Sequence, residues 1–155
     1  MKKYIIISLT LLFVVNCKSN KMDQNNAEMV NAESVLIAKG NLYGSGEEGI
    51  TKQNRVIDNQ NDWKDLIAQM NTVNNVSDHF SETEIDFSKY TIIAVFNGVK
   101  GSGGHSIDID ISSTSKNTLV TVNYSAPKGN ATSAMTQPYY IAKILKSNLP
   151  IVFQD

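Results

Sequence analysis

Two adjacent stretches of alternating apolar and polar residues constrain the fold more than any other feature of this sequence. Every second residue is apolar in "HSIDIDIS" and in "TLVTVNYS", namely Ile107, Ile109 and Ile111 in the first and Val120, Val122 and Tyr124 in the second. A period of two places successive side chains on opposite faces of a strand, so each strand has one apolar face and one polar face. The polar sequence "SSTSKN" between them predicts the turn of a β-hairpin.

Further strands are predicted on both sides of this pair. "SVLIAKGNL" and "QNRVIDN" each predict a strand, and a hairpin through "YGSGEEG" is the simplest arrangement of the two. "YTIIAVFNG" is apolar on both parities, which predicts a central strand covered on both faces. "QPYYIAKILKSNLPIVFQ" predicts two closing strands, separated where Pro150 can only begin or edge a strand.

One segment changes to a helical period. In "NDWKDLIAQMN", the apolar residues recur at i, i+3, i+4 and i+7 and so share one helix face: Trp63, Leu66, Ile67 and Met70. Asn61 or Asp62 is suited to the N-cap of this helix. We expect Trp63 to anchor the helix on the sheet.

The segment after the helix, "TVNNVSDHFSETEIDFSK", has no regular period. We expect it to be an irregular connection that tucks its larger apolar side chains under the domain: Phe80, Ile85 and Phe87. His79 has no second metal ligand at helical or strand spacing, so we expect it to be solvated or hydrogen-bonded locally. The predicted fold class is α+β, with a mainly antiparallel sheet of about seven short strands and one packed helix.

The amino-terminal region predicts export and lipid attachment. Residues 1–16 combine two lysines with a short apolar run, as secretory signals do. The only cysteine, Cys17, follows directly and resembles the lipidated residue of bacterial lipoproteins. We expect residues 17–32 to form a flexible tether and residues 33–155 to form one globular domain. In the lipoproteins that this region resembles, an acidic run just after the cysteine can direct export to the cell surface. "KSNK" lacks such a run, so the resemblance implies the outer membrane, facing the periplasm.

Charge narrows the range of partners. Cleavage after residue 16 would remove two of 14 basic residues and none of 15 acidic ones, leaving a net charge of −3. Nucleic acid binding requires clustered lysines and arginines, so we exclude it and expect a protein partner or a small solute. No motif in the sequence calls for a cofactor.

The glycine cluster in "FNGVKGSGGHSIDID" allows several site chemistries. A phosphate loop leads from a strand into a helix, whereas this segment leads from strand to strand. A hydrolase would pair Ser102 with His105 or His79 and an acid such as Asp108, but no G-x-S-x-G elbow is present. Asp108 and Asp110 alone supply too few oxygens for calcium.

A turn is the interpretation of this cluster that we favour. Gly101, Gly103 and Gly104 permit the unusual backbone angles of a sharp reversal between strands. His105 shares the parity of Ile107, so its ring is expected at the edge of the core with a hydrogen-bond partner. We therefore predict no catalytic residue and no metal site here.

The sequence from Ile85 to Phe153 resembles the PrcB C-terminal domain of protease complex subunits. The residues that carry the resemblance lie in "FNGVKGSGGHSIDI" and "SAPKGNATSAMTQPYY": Gly98, Gly103, Gly104, Ile107, Pro127, Thr136, Pro138 and Tyr139. His105 departs from the aromatic residue that is more usual at its position. The resemblance implies a non-catalytic lipoprotein subunit that associates with a protease and supports its assembly or stability.

The candidate partner-binding surface comprises two glycine-rich or small-residue segments. One runs from Gly101 through Ser102, Gly103 and Gly104 to His105, and the other is "NATSAMTQPYY", with Thr136, Gln137, Pro138 and Tyr139. We place the two segments on one surface, because both are small-residue turns that flank strands we expect to meet. Two alternatives remain open: a protease inhibitor that acts through one of these loops, and an envelope hydrolase that uses Ser102 or His105.

Overall fold

A computed structural model describes residues 29–155 of the chain. Eight strands, one α-helix and a short 3-10 turn at Val76–His79 follow one another along this part of the sequence. The strands are β1 Val30–Asn31, β2 Ser34–Leu42, β3 Gln53–Ile57, β4 Tyr90–Phe96, β5 Ser106–Ser113, β6 Thr118–Ser125, β7 Gln137–Leu145 and β8 Ile151–Gln154. The helix, α1, is Gln60–Met70 and lies between β3 and β4. The predicted α+β class is confirmed.

The strands form two sheets of four. The first sheet has the order β2-β7-β4-β3 and the second the order β1-β5-β6-β8. Neighbouring strands are antiparallel except for β6 and β8, which run parallel. The predicted β5–β6 hairpin is present, and Thr114 closes its turn by accepting the backbone N–H of Asn117 at 3.1 Å.

Strand β4 lies in the centre of the molecule, as its sequence predicts. Ile92, Ala94 and Phe96 belong to a core with α1 on one face of the first sheet. Ile93 and Val95, on the opposite face, pack against the apolar side of the second sheet: Ile107, Ile111, Val120 and Val122. A strand buried on both faces requires apolar residues of both parities, which is the pattern of "YTIIAVF".

The helix packs through the predicted stripe, with Trp63, Leu66 and Met70 fully buried. The Trp63 indole N–H donates to the carbonyl of Thr83 at 2.7 Å, and its ring stacks on Phe80 at a centroid distance of 6.1 Å. The predicted caps are wrong. Asn59 is the N-cap, and its side-chain oxygen accepts the backbone N–H of Asp62 at 3.0 Å, so the helix begins earlier than the apolar period alone indicates.

The predicted hairpin between β2 and β3 is also wrong. Strand β2 pairs with β7 and strand β3 pairs with β4, so β2 and β3 lie at opposite edges of the first sheet. The physical reason is burial: β4 and β7 are apolar on both faces and occupy the centre. Val35 and Leu36 on β2 and Val56 on β3 keep more than 40 % of their surface exposed, as edge positions allow.

The amino-terminal predictions fall largely outside the described residues. The signal sequence, Cys17 and most of the segment 17–32 precede residue 29. Only the end of that segment is described, and there Val30 and Asn31 pair with Ser113 and Ser112 of β5. Between residues 29 and 155, no helix has the length and apolar character that a membrane span requires.

Candidate functional site

Three loops meet at one end of the first sheet. The antiparallel pairing brings the end of β2, the start of β3, the end of β4 and the start of β7 to the same end of the sheet. The first loop is residues 43–52, the second is residues 97–105 and the third is residues 126–136. We call the surface formed by these three loops the loop face.

The second and third loops are joined by backbone hydrogen bonds. Lys100 and Thr136 exchange two, at 2.7 and 3.0 Å, and the N–H of Gly103 donates to the carbonyl of Thr132 at 3.1 Å. The hydroxyl of Thr136 donates to the carbonyl of Ser102 at 2.8 Å. The two segments predicted to share one surface therefore do so, and each fixes the backbone of the other.

One glycine of the cluster has the backbone angle that a turn requires. Gly104 has φ +80°, and a Cβ atom there would lie 3.0 Å from Pro127 in the third loop. Gly103 is buried, whereas Gly101 is exposed with no heavy atom within 4 Å of a Cβ position. The segment connects β4 to β5, as predicted, and opens no helix.

The structure brings Ser102 and His105 together. The Ser102 hydroxyl lies 3.2 Å from Nε2 of His105, so the half-buried ring has the local hydrogen-bond partner that was predicted. Asp108 is held elsewhere, because its carboxylate accepts from the Lys39 ammonium at 2.8 Å. Among residues 29–155, no acidic side chain hydrogen-bonds to His105. His79 is exposed on the 3-10 turn.

Several residues of the predicted surface are buried. Gln137 has no exposed surface, and its side-chain amide donates to the carbonyls of Ile50 and Asn97, which tie the first loop to the second. Pro138 is buried in β7, and Tyr139 is 5 % exposed against Phe96. Burial raises the pKa of Tyr139. The side chains of Gln137, Pro138 and Tyr139 therefore lie inside the protein, where they hold the loops in position. Met135, just before them in the chain, is exposed.

The first loop was not part of the predicted surface. It runs close to the third loop, since a Cβ atom on Gly44 would overlap the backbone of Met135 and Thr136. Each loop exposes one large apolar side chain: Tyr43 at 56 %, Val99 at 39 % and Met135 at 55 %. The sequence signal for the first loop was Tyr43 beside the glycines of the otherwise polar segment "YGSGEEG". We interpreted that segment only as a turn.

A cleft of about 360 Å³ opens between the first and second loops. The surface of its walls is mostly apolar, and its lining residues are Gly46, Gly49, Ile50, Thr51, Lys52, Gly98, Val99 and Gln137. Within residues 29–155, no group of three or more histidine, cysteine, aspartate or glutamate side chains is placed to hold a metal ion. A molecule that binds to the loop face would therefore meet a cleft, exposed apolar side chains and backbone polar groups.

The fold and the site define a small α+β domain of two sheets, in which three loops form one continuous surface at one end of the first sheet. Residues 91–144 match the family model described as PrcB C-terminal. This segment runs from β4 into β7 and contains all of the second and third loops. It confirms the predicted resemblance over about a third of the chain. No curated protein and no solved structure gave a significant match to the chain.

Proposed function

We propose that this protein is a non-catalytic subunit that binds a protein of the bacterial envelope, within a protease complex, through its loop face. The match to the PrcB C-terminal family supports a role in a protease complex. It covers β4 to β7 and the loops between them, and so includes two of the three loops of the loop face. Loops on a rigid sheet are the usual place for recognition residues.

The observation that carries the proposal is the exposure of one large apolar residue on each loop. Tyr43, Val99 and Met135 lie in loops that backbone hydrogen bonds and Gln137 hold in place. Burial of a fully exposed side chain of this kind contributes about 1.5–3 kcal/mol. These three side chains are 39–56 % exposed, so each can contribute a part of that amount when a partner covers it. Because the loops are already ordered, binding loses little conformational entropy.

We also propose that the protein is attached to the membrane by lipid at Cys17 and faces the periplasm from the outer membrane. The support is the sequence: a secretory signal that ends directly at the only cysteine. More than one acyl chain is required for lasting attachment. Palmitate labelling of the full chain and of Cys17→Ser tests this, and label that persists in the variant would contradict it.

The test of the proposed function is cross-linked capture of the full chain from intact membranes, followed by identification of its partners. We expect a protease or a protein that copurifies with one. Recovery of lipoprotein-sorting factors alone would contradict the proposal. Addition of the purified chain to the captured protease then separates two roles, because an inhibitor slows the protease at stoichiometric amounts and a supporting subunit does not.

A second candidate function, hydrolysis, is favoured by one contact. Ser102 and His105 approach to 3.2 Å, as a nucleophile and a base would. A base is normally oriented by a third group, and none among residues 29–155 hydrogen-bonds to this ring. Ester hydrolysis by the purified chain that is lost in Ser102→Ala and in His105→Ala would establish this function, and equal rates in all three would exclude it.

A further inference from the structure

Apolar side chains are also exposed at the end of the first sheet opposite the loop face. Strand β2 begins at this end and β7 finishes there, with Leu145 paired to Tyr90 at the start of β4. The described chain enters the fold at the same end, where β1 pairs with the last residues of β5. We call this surface, which comprises residues 29–35, Tyr90 and residues 143–146, the entry end. Four of its side chains keep 43–63 % of their surface exposed: Met29, Val30, Val35 and Leu145.

The exposed side chains of the entry end border one continuous surface. A cavity of about 70 Å³ is lined by Val35, Tyr90 and Leu145. A second cavity, of about 230 Å³, lies against Ala32, Ile144 and the same Leu145. The lining of both cavities is mostly apolar, and Leu145 is common to the two. Contiguous apolar surface of this kind marks a site of contact with a protein or a membrane.

The charged groups beside these cavities are of both signs. The Lys143 ammonium pairs with the Glu82 carboxylate and lies 4.6 Å from the centroid of the Tyr90 ring. Glu33 and Lys146, which also line the cavities, are exposed and of opposite sign. Charge therefore does not select the ligand of this surface, whereas apolar contact does. Tyrosine and lysine around exposed aliphatic side chains are typical of the boundary between a membrane and water.

From these observations we infer that the entry end lies against the lipid bilayer to which the protein is attached. The inference rests on the proposed attachment at Cys17. Met29 lies twelve positions after Cys17, and twelve residues span at most about 40 Å when fully extended. The anchor therefore keeps a bilayer within reach of the entry end at all times. Contact with it becomes an intramolecular step, so a few partly exposed side chains suffice that would not hold a free protein on a membrane.

This orientation of the protein goes beyond the proposed function and is compatible with it. Strand β2 runs from the entry end to the loop face, and its nine residues span about 30 Å at 3.3 Å per residue. With the entry end on the bilayer, the loop face points away from the membrane. A partner in the aqueous compartment then reaches the loop face without meeting the lipid.

The test is fluorescence of the full chain, purified from membranes and reconstituted in phosphatidylcholine vesicles. A fluorescent amino acid replaces Leu145 in one protein and Met135 of the loop face in another, two positions of similar exposure. A lipid that carries a doxyl quencher on its acyl chain reduces the emission only of a probe that contacts the bilayer. We expect the quencher to remove most of the emission at position 145 and little of it at position 135. No quenching at position 145, or equal quenching at both, would overturn the inference.

Two substitutions of exposed apolar residues provide the matched control, with the probe at position 30. Leu145→Asn removes an aliphatic side chain from the entry end, so we expect the ratio of bilayer-bound to free protein ends to fall at least about threefold. Val56→Asn makes a comparable change on β3 and should leave the quenching at position 30 unchanged. Equal losses in the two variants would overturn the inference, because the contact would then not depend on the entry end.

The same measurement distinguishes the bilayer from a second copy of the chain. Self-association through the entry end would change the emission at position 145 as the protein-to-lipid ratio rises, without quenching by the labelled lipid. That result would overturn the inference. The comparison of positions 145 and 135 decides the question even if an asparagine variant fails to fold.

Failure of this inference and failure of the proposed function are separable. An unquenched probe at position 145 in a chain that still captures a protease complex would overturn the inference alone. Quenching at position 145 in a chain that captures no protease would contradict the proposed function and leave the entry end on the bilayer. Quenching in a chain that carries no palmitate label at Cys17 would contradict the anchor and still support contact between the entry end and the lipid.

Discussion

At the scale of single residues, the loop face depends on a few positions with unusual requirements. Gly104 sits at φ +80° with Pro127 against its Cβ position, and Gln137 joins the first loop to the second from a fully buried position. Two other candidate residues, Pro138 and Tyr139, are buried in β7. Gln137, Pro138 and Tyr139 therefore supply the geometry of the loops, and under the proposed function the contacts with a partner come from exposed residues near them.

Gly104→Ala is the sharpest residue-scale test of the turn. A side chain at positive φ costs about 1–2 kcal/mol, and contact with Pro127 adds to this. We expect urea unfolding to show a loss of at least about 1 kcal/mol. Gly101→Ala is the matched control: its φ is not positive and nothing lies within 4 Å, so we expect no loss or a gain of about 0.4–1 kcal/mol. Equal effects would contradict the described turn.

Asp86 provides a pH-dependent prediction outside the loop face. Its hydrogen bond with the Lys89 ammonium, 2.9 Å away, and its bonds with Ser88 lower the pKa of Asp86 from 3.8 to about 2. A lowered carboxyl pKa means that the contact contributes stability above pH 3.8 and loses it as the pH falls through about 2. Both side chains are exposed, so salt should weaken the effect.

Carboxyl chemical shifts followed against pH measure this directly. We expect Asp86 to titrate near 2 in the wild type and closer to 3.8 in Lys89→Gln. Lys64→Gln, which removes an exposed lysine from α1, is the control and should leave the Asp86 titration unchanged. A midpoint for Asp86 that does not move in Lys89→Gln would show that the ion pair does not form in solution.

At the scale of elements, α1 can be tested at its first residues. Asn59→Ala removes the side-chain acceptor of the Asp62 N–H, and loss of an N-cap costs about 1 kcal/mol. Asn61→Ala replaces a weak helix former inside the first turn by a strong one, so we expect no loss or a gain of up to about 0.7 kcal/mol. Thermal unfolding that ranks the two variants in the opposite order would move the cap to Asn61.

The elements themselves were predictable to the extent that their signals are local. Three patterns can each be seen in a few consecutive residues: the alternation in β5 and β6, the apolar residues of both parities in β4, and the apolar stripe of α1. Each pattern indicates which side chains are buried, and the two cores agree with it. Pairing is different, because β2 lies beside β7, about one hundred residues further along the chain. The hairpin predicted for β2 and β3 was wrong for this reason: turn residues indicate a reversal but do not specify which strand occupies the neighbouring position.

The candidate site was predictable in part for the same reason. The glycine cluster and the segment before β7 both flank strands, and their contact through Lys100 and Thr136 agrees with the expectation that they share one surface. The first loop escaped prediction because its approach to Met135 and Val99 depends on the order of the strands in the first sheet. The burial of the polar side chains of Glu48 and Gln137 depends on the folded structure, which the sequence does not display.

At the scale of the whole molecule, the two cores explain how a small domain holds three loops in fixed positions. The first core lies between the first sheet and α1, and the second lies between the two sheets. Strand β7 is shared by both cores and begins at Gln137, so the loop face is continuous with the most buried part of the protein. A partner that binds there meets a surface that is already formed.

The most direct test of this account is site-specific photo-cross-linking of the full chain in intact membranes. A photoreactive amino acid replaces Met135 on the loop face in one protein and Val56, a similarly exposed apolar residue on β3, in another. We predict that the probe at position 135 captures the protease-complex partner and that the probe at position 56 does not. Capture of the same partner from position 56 alone, or equally from both, would contradict the assignment of the loop face as the docking surface.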